Sequence, residues 1–154
     1  MYDLLLVISG LSFITAMIPE SVDLKAVNEF SQNSMVGYLG IEFIEVGKDY
    51  LKARMPVNVK TIQPYGLLHG GASVVLAETL GSKASDLILS EDQFPVGIEI
   101  NANHIKSVRS GYVYGTATPV HLGRRTHVWS VEIKDEEDNM ICVSRLTVAV
   151  VDKK

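Results

Sequence analysis

A single cysteine, Cys142, stands among 154 residues. No disulfide can close within the chain, and a reducing, cytoplasmic compartment suits it. Cys142 sits in the run Met140-Ile-Cys-Val-Ser-Arg-Leu-Thr147 and reads as a buried strand residue rather than a nucleophile. The four histidines, at 69, 104, 121 and 127, make no HExxH pair and have no cysteine cluster beside them, so no metal set is legible. Ser73 lacks a G-x-S-x-G elbow and reads as a local hydrogen-bonding residue. Positive charge is short too: 14 Lys and Arg face 18 Asp and Glu, a net charge of -4. That supplies no general field for nucleic acid, and no aromatic-basic stripe replaces it. Low-complexity stretches, internal repeats and interdomain linkers are missing as well.

The run from Leu4 to Ile18 is almost wholly apolar or small, but its only early charge is Asp3. A secretory signal needs a positive segment before its apolar stretch, and a membrane span needs about 20 apolar residues. Residues 1–20 are therefore expected to be an apolar extension, packed or partly ordered; weak membrane association and a misassigned start upstream of Met17 are the other readings. Stable membrane insertion is not expected. Residues 21–154 are expected to form one domain, since 47% apolar and 21% charged residues are a globular composition.

The spacing predicts a short helix over Ser21 to Phe30 and a hairpin of Gly40 to Val46 with Tyr50 to Met55, turning at Gly47-Lys48-Asp49. Pro56 closes its second strand because it removes a ladder donor. Gly70 to about Leu89 is a long helix, apolar or small on most sides and therefore buried. Four strands follow: Val96 to Ile105, Tyr112 to His121, Thr126 to Lys134 and Met140 to Val151. This order predicts an α+β fold with one antiparallel sheet curled around one central helix, leaving a side free for a partner chain.

Glu78 interrupts the apolar centre of that helix. Buried, charged and unpaired, it would cost several kcal/mol; the plain alternative is that it reaches solvent or bonds to Thr79, Ser82 or a loop. The helix begins at His69-Gly70-Gly71, where the first N–H groups lack helical partners and the dipole is positive. Such groups can stabilise a developing oxyanion, and His69 can orient a substrate or bond to the carboxylate side. Gly70 and Glu78 are eight residues apart, roughly 12 Å along a helix. A reacting carbonyl must lie about 3 Å from both donor and attacking group. One helix cannot easily supply both, whereas two antiparallel copies can; the spacing predicts a homodimer with two shared sites.

Gln63-Pro-Tyr-Gly-Leu-Leu-His69-Gly-Gly-Ala-Ser-Val-Val-Leu-Ala-Glu78 resembles the PaaI/YdiI-like branch of hot-dog thioesterases. Val96-Gly-Ile-Glu-Ile-Asn-Ala-Asn-His104, His121-Leu-Gly-Arg124 and Ser144-Arg-Leu-Thr147 extend the likeness, which runs from about Met35 to Val150. The nearest resemblance is to 1,4-dihydroxy-2-naphthoyl-CoA thioesterases and related aryl-CoA hydrolases. It implies hydrolysis of an aromatic acyl-CoA such as 1,4-dihydroxy-2-naphthoyl-CoA, a place in menaquinone biosynthesis, dimers that join two sheets edge to edge, and dimers paired into tetramers. No cofactor is implied beyond the coenzyme A of the substrate. By the same resemblance Glu78 is the catalytic carboxylate, and Gly70 or Gly71 the oxyanion donor. Gln63 and His69 would place the reacting groups, with Ser82 beside the carboxylate. Glu78 would attack the carbonyl or deprotonate water.

Coenzyme A carries phosphates, so local cations are required. His104, Lys106, Ser107 and Arg109 form one candidate group, and His121, Gly123, Arg124 and Arg125 another. Position 106 is often arginine in the relatives; lysine keeps the charge but loses the planar fork. Tyr65, Leu67, Val74 and Val75 are the expected apolar wall for the acyl group. His127 reads as packing or strand surface. The alternative reading for the whole chain is a non-hydrolytic acyl-CoA binder or a hydratase of the same fold, although the Asp–His pair usual in such hydratases is missing around His69.

Overall fold

The computed structural model describes residues 18–19 and 21–154. Apart from Ile18 and Pro19, the expected apolar extension over residues 1–20 lies outside the described residues. Helix α1, Leu24–Ser31, starts where the Asp23 carboxylate accepts from the N–H groups of Lys25 and Ala26. Helix α2, Met35–Leu39, is capped by Ser34 and ends at Gly40, whose φ of +73° needs a residue without a Cβ. No pattern singled out in the sequence marks this five-residue helix. Strands β1 (Glu42–Val46) and β2 (Leu51–Pro56) form the expected hairpin. The long helix α3 runs Gly70–Asp86, and β3 (Gln93–His104), β4 (Tyr112–Leu122), β5 (Thr126–Lys134) and β6 (Met140–Asp152) complete the order.

All six strands join one antiparallel sheet in the order β1-β2-β4-β5-β6-β3. The alternation of β2, with Leu51, Ala53 and Met55 fully buried, turns one sheet face toward α3. Leu76, Ala77, Leu80 and Ala84 of α3 meet that face in a core with Trp129, Val131, Ile133, Leu146 and Val148.

The curled sheet expected from the sequence is not the arrangement found. Among the described residues the sheet is open: β1 and β3 are its two edges, and no ladder joins them. The helix lies centrally against one face, but the sheet does not close around it. Element order fixes which strands are antiparallel neighbours, whereas closure requires both edges to find partners. Here β1 has only five residues with a register irregularity, and twelve-residue β3 pairs with β6 alone among the described residues.

Near the C-terminal end of α3, Ser85 Oγ accepts from Trp129 Nε1–H (2.8 Å) and lies 3.0 Å from His127 Nδ1. His127 is buried, which lowers its proton affinity; nearby His121 acts in the same direction, and a backbone bond with Gly123 opposes them. A neutral ring can thus accept the Ser85 hydroxyl proton. His127 is an internal tie between helix and sheet, in line with the packing role expected for it.

Candidate active site

The turn at Gln63 sets the first half of the site. Gly66 N–H donates to Gln63 O, and Gln63 Oε1 accepts from Tyr65 N–H. The carboxamide oxygen is thereby engaged locally, which leaves the NH2 end available as a donor. His69 caps α3 with extended backbone, and its Nδ1 accepts from Gly71 N–H at 2.8 Å. This separates the two glycines that the sequence left equivalent. Gly71 N–H is committed to His69, while Gly70 N–H has no hydrogen-bond partner among the described residues. The His104 ring packs on Gly70 so closely that a Cβ there would stand 2.6 Å from Nε2. Gln63, Gly70, Ser73, His104, Lys106 and Ser107 share one cavity of about 340 Å³.

Glu78 lies elsewhere, along the same helix. Its carboxylate rests on Gly97 of β3, where a Cβ would collide with Oε1. Burial raises its proton affinity, and a hydrogen bond from Ser82, one turn further on, opposes the rise. A raised value suits a base or nucleophile better than a fully solvated carboxylate would. Gly97 was not singled out from the sequence, although a glycine inside a strand signals close approach by another group.

The two candidate phosphate-binding groups are also apart. His104 pairs with Cys142 and Thr126 with Ala149, so the groups sit seven residues apart along β6, roughly 23 Å at about 3.3 Å per residue. Lys106 is 3.7 Å from Asp135, and with Ser107 and Arg109 it borders the acidic turn at Glu136 and Glu137. Arg109 Nη1 donates to Tyr65 O. At the other end, the β4–β5 turn carries Arg124 and Arg125; Gly123 N–H donates to Thr126 O, and the His121 ring covers Gly123. The expected acyl wall is dispersed: Tyr65 is 84% exposed, Val75 packs on the core, and Leu67 lines the helix-start cavity. A second cavity of about 340 Å³, with Ser82 in its lining, follows the C-terminal half of α3. Among the described residues no cluster of His, Cys, Asp and Glu fits a metal ion, and no helix is long and apolar enough to cross a membrane.

Known proteins resemble this chain in sequence and fold. The family model described as the thioesterase superfamily matches residues 65–142. The 1,4-dihydroxy-2-naphthoyl-CoA hydrolase of Escherichia coli (strain K12) is 52% identical over 130 residues, covering 84% of this chain and 96% of that protein. The proofreading thioesterase EntH of Cronobacter turicensis is 48% identical over 128 residues, covering 83% and 93%. A crystal structure of thioesterase HI1161 from Haemophilus influenzae superimposes with a TM-score of 0.85 at 47% identity, covering 89% of this chain and 95% of that one. The described fold, the helix-start cavity and these likenesses together place the chain in the hot-dog thioesterase superfamily, in the PaaI/YdiI-like branch, as an acyl-CoA thioester hydrolase.

Proposed function

We propose that the chain hydrolyses aryl-CoA thioesters to free acid and CoA, in a homodimer whose two sites each join Glu78 of one protomer to the α3 start of the other. The observation that carries this reading is the setting of Glu78: a carboxylate in an apolar helix, laid on a strand at the free edge of the sheet. That edge exposes Phe94, Val96 and Ile98. A long unpaired apolar edge is a template for another strand, and a second copy satisfies it symmetrically. To bring Glu78, seated on Gly97, to the partner's helix start, against which His104 packs, the reading requires a two-fold axis near Ile100. Glu78 then approaches the partner's helix start, and the two cation groups that one chain holds apart meet across the interface. Pairing of such dimers into a tetramer belongs to the same reading.

In the proposed site the thioester oxygen accepts from Gly70 N–H and from the Gln63 carboxamide, both of the partner. Glu78 either attacks the carbonyl carbon, expelling CoA thiolate and leaving an anhydride for water to cleave, or takes a proton from the water that attacks. In both routes the thiolate leaves and is protonated, and one water is consumed. An aryl acyl group is favoured by the naphthoyl-CoA hydrolase named above. The test is thiol release from benzoyl-CoA by wild type and Glu78→Gln. A variant with the wild-type rate removes Glu78 from the mechanism.

A further inference from the structure

The turn from Gln63 to Leu67 folds back on itself. Gln63 N–H donates to Leu67 O (2.8 Å), and Gly66, at a φ of +76°, donates its N–H to Gln63 O (2.9 Å). Tyr65 takes part through its backbone, since the residue is otherwise exposed. Its N–H donates to Gln63 Oε1, and its carbonyl oxygen accepts from Arg109 Nη1 at 3.2 Å. One peptide residue therefore links the Gln63 carboxamide to a guanidinium 44 positions further along the chain.

These internal bonds hold the shape of the turn but not its attitude toward the start of α3. The base is fixed by backbone alone: Ile62 bridges Leu68, His69 N–H donates to Thr61 O, and Leu68 N–H donates to Val108 O at 2.7 Å. At the tip, Arg109 is the one side chain from outside the turn that bonds to it among the described residues. Its guanidinium also lies over Gly66, where a Cβ would stand at ordinary contact, 3.7 Å from Nη1. The surroundings of Arg109 are less suited to a phosphate. It shares a cavity with Asp135, Glu136 and Glu137, and the Glu136 carboxylate sits against Gly111, two residues on. Carboxylates there oppose the approach of a phosphate, whereas a neutral peptide oxygen meets no such repulsion.

We propose that Arg109 is a positioning residue for Gln63: through Tyr65 it holds the carboxamide where its NH2 group can meet the thioester oxygen. The inference rests on the thioesterase reading above, in which Gln63 donates to that oxygen, and adds to it a residue that never touches the reacting atoms. A misplacement of about 1 Å can lower a rate by about 100-fold, so a small swing of the turn tip is enough to register in kcat.

The test uses the full chain with two substrates, benzoyl-CoA and S-benzoylpantetheine, the second of which keeps the thioester but has neither phosphate nor nucleotide. Arg109→Met is expected to lower kcat by about tenfold or more on both while KM stays within about threefold. Arg109→Lys restores a donor able to reach Tyr65 O and is expected to recover part of that loss. Gln63→Ala is expected to be nearly inactive; at high enzyme concentration, adding Arg109→Met to it should cost less than about twofold more, because the brace has nothing left to place. A readout independent of turnover comes from the three glutamines of the chain, Gln32, Gln63 and Gln93. In 15N-glutamine-labelled protein the side-chain NH2 signal of Gln63 is assigned by its absence from Gln63→Ala. Arg109→Met is expected to shift that signal and leave the other two in place.

A loss seen only as a raised KM for benzoyl-CoA, and absent with the pantetheine thioester, makes Arg109 a phosphate contact and overturns the proposal. An unmoved Gln63 signal in Arg109→Met overturns it as well, and so does a loss of equal size with and without Gln63. If the signal shifts while Gln63→Ala keeps the wild-type rate, the tie of Arg109 to Gln63 stands and the catalytic reading of Gln63 falls.

Discussion

Gly97→Ala is the substitution that separates the chemistry from the fold. The added Cβ would stand 2.0 Å from Glu78 Oε1. Ordinary contact between heavy atoms is about 3.5 Å, so the carboxylate must withdraw by about 1 Å or more. The displaced atom ends a flexible side chain, and Gly97 is exposed in the protomer, so the fold has little reason to suffer. Its backbone is outside the positive-φ region that disfavours alanine. Replacing glycine there reduces unfolded-state entropy, with an expected change within about 1 kcal/mol of wild type and of either sign. Catalysis is far less tolerant, because a misplacement of about 1 Å can lower a rate by about 100-fold. The assay is kcat/KM for benzoyl-CoA beside thermal unfolding, with light scattering to show that assembly is unchanged. Wild-type turnover in a correctly assembled Gly97→Ala protein would refute the claim that Glu78 works from its position on β3. A loss of activity that merely follows a large fall in Tm would refute it equally.

Other outcomes follow from the same geometry. Because burial raises the proton affinity of Glu78, the acid limb of the pH–rate profile is expected above the ordinary glutamate value of 4.5; a limb at or below it contradicts the assignment. A carboxyl group whose folded-state pKa is raised stabilises fully below its unfolded value, and that contribution is lost as pH rises through the folded value. Glu78→Gln should therefore melt higher than wild type at pH 8, with the difference fading toward pH 4, as calorimetry can record. Gln63→Ala and Glu78→Gln are each expected to be nearly inactive, yet refolded together in equal amounts they should recover about one quarter of wild-type sites if each site spans two chains; no recovery argues against a shared site. Ser85→Ala strips a partner from buried Trp129 and His127, and should lower stability by about 1–3 kcal/mol in chemical denaturation. His127 has the opposite sign to Glu78. Its folded-state pKa is depressed, so its stabilisation is complete above the ordinary 6.5 and declines as pH falls from there toward the folded value, a decline His127→Gln should lessen.

Periodicity and punctuation in the sequence were enough for the order of the six strands and the long helix, for β5 at both ends, and for the helix start at Gly70, but not for the five-residue α2. They sufficed because alternating burial, helical spacing and turn residues are local properties that neighbouring positions express together. The oddity of Glu78 was also legible, since an acid between Ala77 and Thr79 in an apolar helix stands out against its own surroundings. The eight-residue spacing to Gly70 set a length along one helix without any knowledge of what faces it.

Whether the sheet closes was decided only by tertiary pairing, and the open edges at β1 and β3 replaced the expected curl. Which glycine N–H is spoken for depended on the His69 ring turning back on Gly71, a rotamer choice that spacing does not specify. The Gly97 seat of Glu78 and the tie of Ser85 to His127 and Trp129 join different elements of the chain. Such contacts arise when non-local packing brings side chains together, and a linear pattern records periodicity along the backbone but not which surfaces meet.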